Sequence, residues 1–388
     1  MPMLSYLYTN VTYVFTNVTR QGKSVLYSKK EKKPMKAIYM RAPKDLKFEE
    51  VPNPVLHDDE VLIKVMAVGV CGSDIPRMLV FGAHVSPIIP GHEFAGKIVE
   101  VGKDVKGWKV GDKASAAPLL PCGKCEWCQK GIYSLCEDYM YYGSRNDGAY
   151  AQYLAVKADN LLRLDADTPY AWGATIDPAA NAVHAYLRAE ATGDDTVCVY
   201  GLGAIGLFAV QYAKVLGCKT IIASDIDDAK LEVAKQCGAT HVINSLNDDP
   251  VEKVLEFTGG KGVSFSVDMS GVPSAQHQAI LSTGKMGRVV FLGISHKGLE
   301  LSEKAVDQIE RYQLSVIGSW NSFSNPFPGF EWTESARLMN EKLFNPDLLI
   351  SHRHPLEDLP DVFKKIDSRE LRGYNKIMFY PNGFDEEK

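Results

Sequence analysis

At 388 residues the chain is too long for one ordinary hydrophobic core, so two domains are expected. Apolar residues make up 45% and charged residues 23%, which excludes a disordered or fibrous chain. A net charge of −5 gives no basis for a nucleic-acid or membrane-surface partner, and no apolar run approaches the roughly 18 residues of a membrane helix.

Residues 1–34 read as an N-terminal extension that need not be ordered. "TNVT" occurs at 9–12 and again at 16–19, followed by the charged run "KKEKKP". Asn10 and Asn17 fit the glycosylation pattern. No Lys or Arg precedes Arg20, and the early residues are Tyr, Thr and Asn rather than leucine, so no secretory pattern is read. A cytoplasmic, reducing location is expected, in which clustered cysteines point to metal or redox chemistry rather than disulfides.

From Met35 the pattern is β-rich: "MKAIYM", "EVLIKVMAVGV" (60–70), "GKIVEVGKDV" (96–105) and "GWKVGDKA" (107–114) read as strands and turns. Cys71 sits in "GVCGSD", and His92 with Glu93 in "PGHEFAG". Each lies in a glycine-bounded turn at the end of an apolar strand, where side chains can converge. Cys, His and carboxylate suit a zinc ion with one open position. Such an ion polarises an alcohol or carbonyl oxygen and lowers the alcohol's pKa. Ser73, two residues past Cys71, either relays the alcohol proton toward solvent or caps its own turn.

Next, "PCGKCEWCQKGIYSLC" (121–136) spaces Cys122, Cys125, Cys128 and Cys136 as C-x2-C-x2-C-x7-C. Thiolates two residues apart can turn back onto one ion, and four complete a tetrahedron. A structural zinc is favoured, with an iron–sulfur cluster or four metal-free buried thiols as the competing readings. Four protein ligands leave no open position, so this motif predicts a rigid loop and no catalysis.

The rhythm changes after about residue 190, where strands alternate with helices and imply a parallel sheet. The turn Gly201, Leu202, Gly203, Ala204, Ile205, Gly206 follows the strand Val197 to Tyr200 and opens a helix. That is the context in which G-x-G-x-x-G binds a dinucleotide. Gly201 permits the tight turn, Gly203 lets a pyrophosphate approach, and Gly206 packs the helix on the sheet. Asp225 ends the next strand; its carboxylate suits the adenosine ribose and disfavours a 2′-phosphate, so NAD is expected over NADP. Lys230 either reaches the ribose or is a solvated helix charge. "VSFSVDMSG" (263–271), "GRVVFLGI" (287–294) and "QLSVIGSW" (313–320) supply further buried-looking strands. "EWTESARLMNEKL" and "LEDLPDVFKKIDS" read as amphipathic helices before a last strand, "NKIMFY" (375–380).

Taken in this order, these motifs resemble the zinc-dependent medium-chain dehydrogenases over nearly all of 35–380. "GVCGSDIPR", "PLLPC", "GSRNDGAYAQY" and "GSWNSFSNPFPGFEW" resemble the polyol-dehydrogenase branch, most of all its galactitol-1-phosphate 5-dehydrogenases. The resemblance implies an α/β protein. A GroES-like β-rich catalytic domain would be built from 35–189 and 319–388, with a Rossmann doubly wound parallel sheet at 190–318. It implies a catalytic zinc at Cys71 and His92, with Glu93 and Asp177 of "TIDPAANAVHA" nearby, and a structural zinc at the four cysteines. Family members usually carry Glu where this chain has Asp177, one methylene shorter; read plainly, Asp177 is a helix N-cap before Pro178. The backbone at Gly293 and Ile294 matches the strand end that holds the nicotinamide carboxamide in the family.

The implied reaction moves a hydride from a secondary hydroxyl of a polyol, or of a polyol phosphate such as galactitol 1-phosphate, to NAD. A phosphate needs cationic or N–H donors, and Arg145 in "GSRNDG" and His84 in "FGAHVSP" are the candidates, read otherwise as a surface arginine and a loop histidine. Trp320 and Glu331 could line the same cleft, although Trp320 on its apolar strand reads equally as core. The alternatives are a free-polyol dehydrogenase of the sorbitol or iditol type and a non-catalytic, zinc-stabilised NAD-binding protein. The resemblance also implies a homo-oligomer, a dimer or tetramer.

Overall fold

The computed structural model describes residues 33–384, so nearly all of the expected extension 1–34 lies outside the described residues. The β-rich run at the start forms a hairpin, Met35–Ala42 against Asp45–Val51, and then the long strand Glu60–Gly69. That strand, EVLIKVMAVG, is buried almost throughout because elements cover both of its faces. It centres a seven-stranded sheet. Glu93–Val101, Tyr153–Lys157 and Lys376–Tyr380 pair with it antiparallel. Lys113–Ala116 and Leu161–Leu164 extend one side and Ile350–Pro355 the other. The C-terminal strand thus completes a sheet begun near residue 60. The turn at 107–112 runs further than the sequence suggested, and its strand starts only at Lys113.

The second sheet has six parallel strands in the order His241–Asn244, Thr220–Asp225, Thr196–Tyr200, Val263–Asp268, Thr283–Phe291, Ser315–Gly318. Helices cover both faces: Leu207, Phe208, Leu231 and Ala234 pack on one, Val254, Ala279, Ile280 and Ala305 on the other. This is the doubly wound α/β arrangement expected, with its dinucleotide crevice at the carboxyl ends of the strands. One strand differs from its reading. Ser315–Gly318 is not buried but forms the exposed edge, with Val316 44% exposed.

Helix Ile176–Arg188 joins the two units. Its buried Ala179, Ala180, Ala182 and Ala185 present little bulk. The helix therefore packs closely against helices Ala204–Leu216 and Phe330–Asn340, within a core that also holds Met66, Ala67 and Ala95 of the β-rich sheet. Its first turn places Asp177 beside the end of strand Glu60–Gly69. No described helix is long and apolar enough to cross a membrane.

Candidate active site

Cys71 stands one residue beyond the buried Val70, where the central strand breaks into a turn. The turn closes on Asp74, whose Oδ2 accepts the Cys71 N–H at 3.1 Å and the Tyr150 hydroxyl at 3.1 Å. Asp74 is fully buried and its Oδ1 accepts from Arg77 Nη1 at 2.7 Å. Burial alone would raise its pKa, but the charges of His92 and Arg77 outweigh burial and hold the carboxyl at about 2. His92 precedes strand Glu93–Val101 and turns Nδ1 toward Asp74 Oδ1 at 3.4 Å and Nε2 toward Asp177 Oδ2 at 3.8 Å.

The ligand atoms of Cys71, His92 and Glu93 lie within 4.8 Å of one another. The buried Nδ1 of His92 has no hydrogen-bond partner. A thiol, an imidazole and a carboxylate converging in a buried turn fit a zinc ion with an open position. Glu93 is not free, however: Lys376 Nζ donates to its Oε2 at 2.5 Å and to the Val70 carbonyl at 2.9 Å. Gly69 is required here, because a Cβ would stand 2.6 Å from Glu93 Oε2.

Asp177 is the second residue of its helix, and Thr175 occupies the cap position, so the N-cap reading is corrected. Its Oδ1 accepts from Asn181 Nδ2 at 2.9 Å. Burial pushes its pKa up to about 7 against the opposing charge of His92. It borders the tight Cys71–His92–Glu93 group through His92. Ser73 donates its hydroxyl to Cys71 Sγ at 3.3 Å and makes no capping bond, so the turn-cap alternative does not describe it. Tyr141 closes the space, its ring edge 5.6 Å from His92 between centroids. Burial, with Asp177 and Cys71 nearby, raises its hydroxyl pKa well above the usual value.

The four clustered cysteines are all free thiols with sulfurs within 4.8 Å of one another. Cys122 Sγ lies 4.0 Å from Cys128 Sγ, and Cys125 Sγ lies 3.9 Å from Cys136 Sγ. A tetrahedron with Zn–S bonds of about 2.3 Å has edges of about 3.8 Å, so these sulfurs fit zinc. An iron–sulfur cluster interposes its own sulfides and would spread them further. Backbone N–H groups aimed at the sulfurs lower Cys125 to about 6, which favours thiolate. The lobe is tied to the C-terminal segment, where Phe323 donates its N–H to Ser134 Oγ at 2.9 Å.

The geometry of the glycine turn fits a phosphate. Gly201 has φ +89, and a Cβ there would strike Ser270 at 2.7 Å. A Cβ on Gly206 would stand 2.0 Å from the Gly201 carbonyl, so the helix seats on the turn. Gly203 faces open space and heads helix Ala204–Leu216 with no side-chain cap, leaving the first helical N–H groups to a ligand. Leu202 donates its N–H to Asp225 Oδ2 at 2.6 Å, and Ile226 and Asp227 donate theirs to Oδ1 at 2.8 and 3.1 Å. Asp225 therefore shapes the turn. Lys230 lies, partly buried, in helix Asp228–Cys237. Gly293 and Ile294 follow strand Thr283–Phe291, and Gly293 approaches Gly271 so closely that a Cβ would stand 2.0 Å from the Gly271 nitrogen. Asp268, missed in the sequence, organises that crossing by accepting from the N–H groups of Ser270 and Gly271 at 2.9 and 3.1 Å.

Residues 57–166 match the alcohol dehydrogenase GroES-like domain family, and residues 204–335 match the zinc-binding dehydrogenase family. The chain is 37% identical to galactitol 1-phosphate 5-dehydrogenase of Escherichia coli over 86% of its own length and 96% of that relative. The chain belongs to the zinc-binding medium-chain dehydrogenases. It is also 34% identical to sorbitol dehydrogenase of Bacillus subtilis, covering 90% of this chain and 98% of the relative. The crystal structure of galactitol-1-phosphate dehydrogenase from Escherichia coli superposes with a TM-score of 0.84 at 35% identity, covering 89% of this chain and all of that one. A zinc-binding dehydrogenase of Sinorhizobium meliloti 1021, solved bound to NADP, gives a TM-score of 0.84 at 28% identity over 90% of this chain and 100% of that one. The protein is thus an oxidoreductase acting on alcohols, with zinc and a nicotinamide dinucleotide as cofactors.

The dehydrogenase places its four candidate substrate residues differently. His84 donates its N–H to the Ser144 carbonyl at 3.2 Å, which holds the 77–87 segment against the 141–146 turn. In that turn the Arg145 guanidinium covers the Tyr139 ring at 4.5 Å, and its buried Nε has no hydrogen-bond partner. Trp320 is 49% exposed, so the core reading is corrected. Glu331 is buried and fully engaged: His184 Nδ1 lies 2.6 Å from Oε1, and Ser324 Oγ donates to Oε2 at 2.7 Å. It ties helix Phe330–Asn340 to helix Ile176–Arg188 and is not a cleft group. Asp74, Lys376 and Tyr141 escaped the sequence reading. Asp74 carried a local signal, three residues after Cys71; the other two had none.

Proposed function

We propose that this dehydrogenase oxidises a secondary hydroxyl of a polyol phosphate, such as galactitol 1-phosphate, with NAD as hydride acceptor. The observation that carries the phosphate is Arg145. It is stacked on Tyr139, its buried Nε lacks a partner, and its turn leads through Tyr139 and Tyr141 to His92, with ring centroids 6.3 and 5.6 Å apart. Arginine binds a phosphate through paired N–H donors. The 37% identity to galactitol 1-phosphate 5-dehydrogenase of Escherichia coli is in keeping with this.

Cys71 and His92, with Glu93 or Asp177 as carboxylate, would hold the catalytic zinc, and Cys122, Cys125, Cys128 and Cys136 the structural one. Zinc bound at the first site would polarise the substrate hydroxyl and lower its pKa. Ser73, whose Oγ already lies beside Cys71, takes that proton and passes it outward. Asp74 Oδ1 stands 3.4 Å from His92 Nδ1 and would orient the ring when Nε2 holds the metal. The turn 201–206 holds the pyrophosphate, Asp225 and Lys230 the ribose, and the Gly293–Ile294 backbone the carboxamide. NAD is preferred because the Asp225 carboxylate repels a 2′-phosphate. The protein works as a cytoplasmic dimer or tetramer on this reading.

Dinucleotide reduction with galactitol 1-phosphate, sorbitol, L-iditol and threonine, each with NAD and NADP, tests the proposal. The expected result is highest kcat/KM for galactitol 1-phosphate with NAD. Equal or better turnover of free sorbitol would replace it with the free-polyol reading.

A further inference from the structure

Arg77 lies six residues past Cys71 and opens the wide π-helical turn Arg77–Phe81. Its Nη1 donates to Asp74 Oδ1, the same oxygen that stands 3.4 Å from His92 Nδ1. The side chain is only 18% exposed. Among the described residues its remaining N–H groups make no hydrogen bond, so most of the guanidinium fork is available while one corner is anchored beside the metal ligands. Arg145 lies in the 141–146 turn, whose Ser144 carbonyl accepts the His84 N–H, and it has its own buried, unpartnered Nε. His84 follows Arg77 in the segment bonded to that turn, and its pKa is lowered by burial and then by the charges of Arg145 and Arg77. The packing of the 77–87 segment on the 141–146 turn therefore brings three basic residues into one region, and the carboxylate that contacts Arg77, Asp74, is already divided among Arg77, Tyr150 and the Cys71 N–H. Such a space attracts an anion.

We propose that Arg77 is a specificity-determining residue which, with Arg145 and His84, forms the subsite for the phosphate monoester of the substrate. This rests on the polyol-phosphate reading above. Asp74 presets the guanidinium, so little rotamer freedom is lost when the phosphate binds.

The test compares kcat/KM for galactitol 1-phosphate and for galactitol in the wild type, R77M, R77K and R145M, with zinc content measured for each. In R77M the preference for the phosphorylated polyol is expected to fall roughly tenfold to hundredfold, mostly through KM, with zinc retained. R77K, which keeps the charge but loses the fork, should fall between R77M and the wild type, and it decides the question if R77M does not fold. A wild-type preference that survives R77M overturns this inference alone. So does an equal loss on both substrates accompanied by lost zinc, since Arg77 would then act only through Asp74. No preference in the wild type removes the polyol-phosphate reading and this inference together.

Discussion

Lys376 Nζ lies 2.5 Å from Glu93 Oε2, and both side chains are about 97% buried or more. The last strand of the chain thus neutralises a carboxylate that belongs to the candidate metal group. Burial would lower the Lys376 pKa, but Glu93, Cys71 and Asp177 outweigh it and hold the amine charged. Removing one partner of a buried pair leaves the other charge uncompensated. Lys376→Met is therefore expected to cost about 3–5 kcal/mol of stability in metal-free protein. Urea unfolding in the presence of a chelator checks it, and a loss below about 1 kcal/mol would mean that water already reaches Glu93.

The two cysteine sets should separate in mutants. Cys125→Ser is expected to remove one zinc per chain and loosen the lobe, lowering the unfolding midpoint while folded protein still turns over. Cys71→Ser is expected to abolish turnover in a protein that folds and binds dinucleotide. Metal analysis, thermal unfolding and cofactor fluorescence distinguish them. A Cys125→Ser protein that keeps two zincs and loses only turnover would contradict this division.

Asp225 holds the Leu202 N–H at 2.6 Å, and on the proposed reading it also meets the ribose. Asp225→Ser should lower the NAD-over-NADP ratio of kcat/KM roughly tenfold to hundredfold, with part of the NAD loss arising from the loosened turn. An unchanged ratio, measured with both cofactors, would assign discrimination to other residues.

Glu331 gives a pH prediction. Burial would raise its carboxyl pKa, but the hydrogen bonds from His184 and Ser324 win and hold it below the ordinary value. The unfolded chain therefore takes up the proton more readily than the folded one. The stabilisation is present above the unfolded value of about 4.3 and is lost as pH falls through the lower folded value. Glu331→Gln should cost about 1–3 kcal/mol at pH 7, a gap that closes below about pH 4. Denaturant titrations of both proteins across that range provide the check. A gap that persists at pH 3 would point to packing instead of charge.

What the chain reveals without its fold is local. The cysteine spacing of 122–136 and the glycine turn of 201–206 are short segments whose geometry follows from backbone turns a few residues long, so their residues alone point to a metal, zinc before an iron–sulfur cluster, and to a dinucleotide. Cys71, His92 and Glu93 were marked by glycine-bounded turns, and the strand–helix alternation after 190 dictated a parallel sheet. Boundaries and exposure were less secure: strand Ser315–Gly318 has a buried-strand composition, yet only its place at the end of the strand order makes it an exposed edge.

The electrostatic partners belong to the tertiary structure. Lys376 meets Glu93 across 283 residues of sequence, and Glu331 meets His184 across 147. A lysine in an apolar strand carries no sign of the carboxylate it will face, because the pairing depends on which strands become neighbours. For the same reason His84 and Arg145 read in the sequence either as phosphate candidates or as a loop histidine and a surface arginine, and Arg77 carried no signal of its own. Only the packing of the 77–87 segment on the 141–146 turn brings their segments together. Local spacing therefore determined which metals and cofactor this protein is built for, and long-range packing decided which charges surround them.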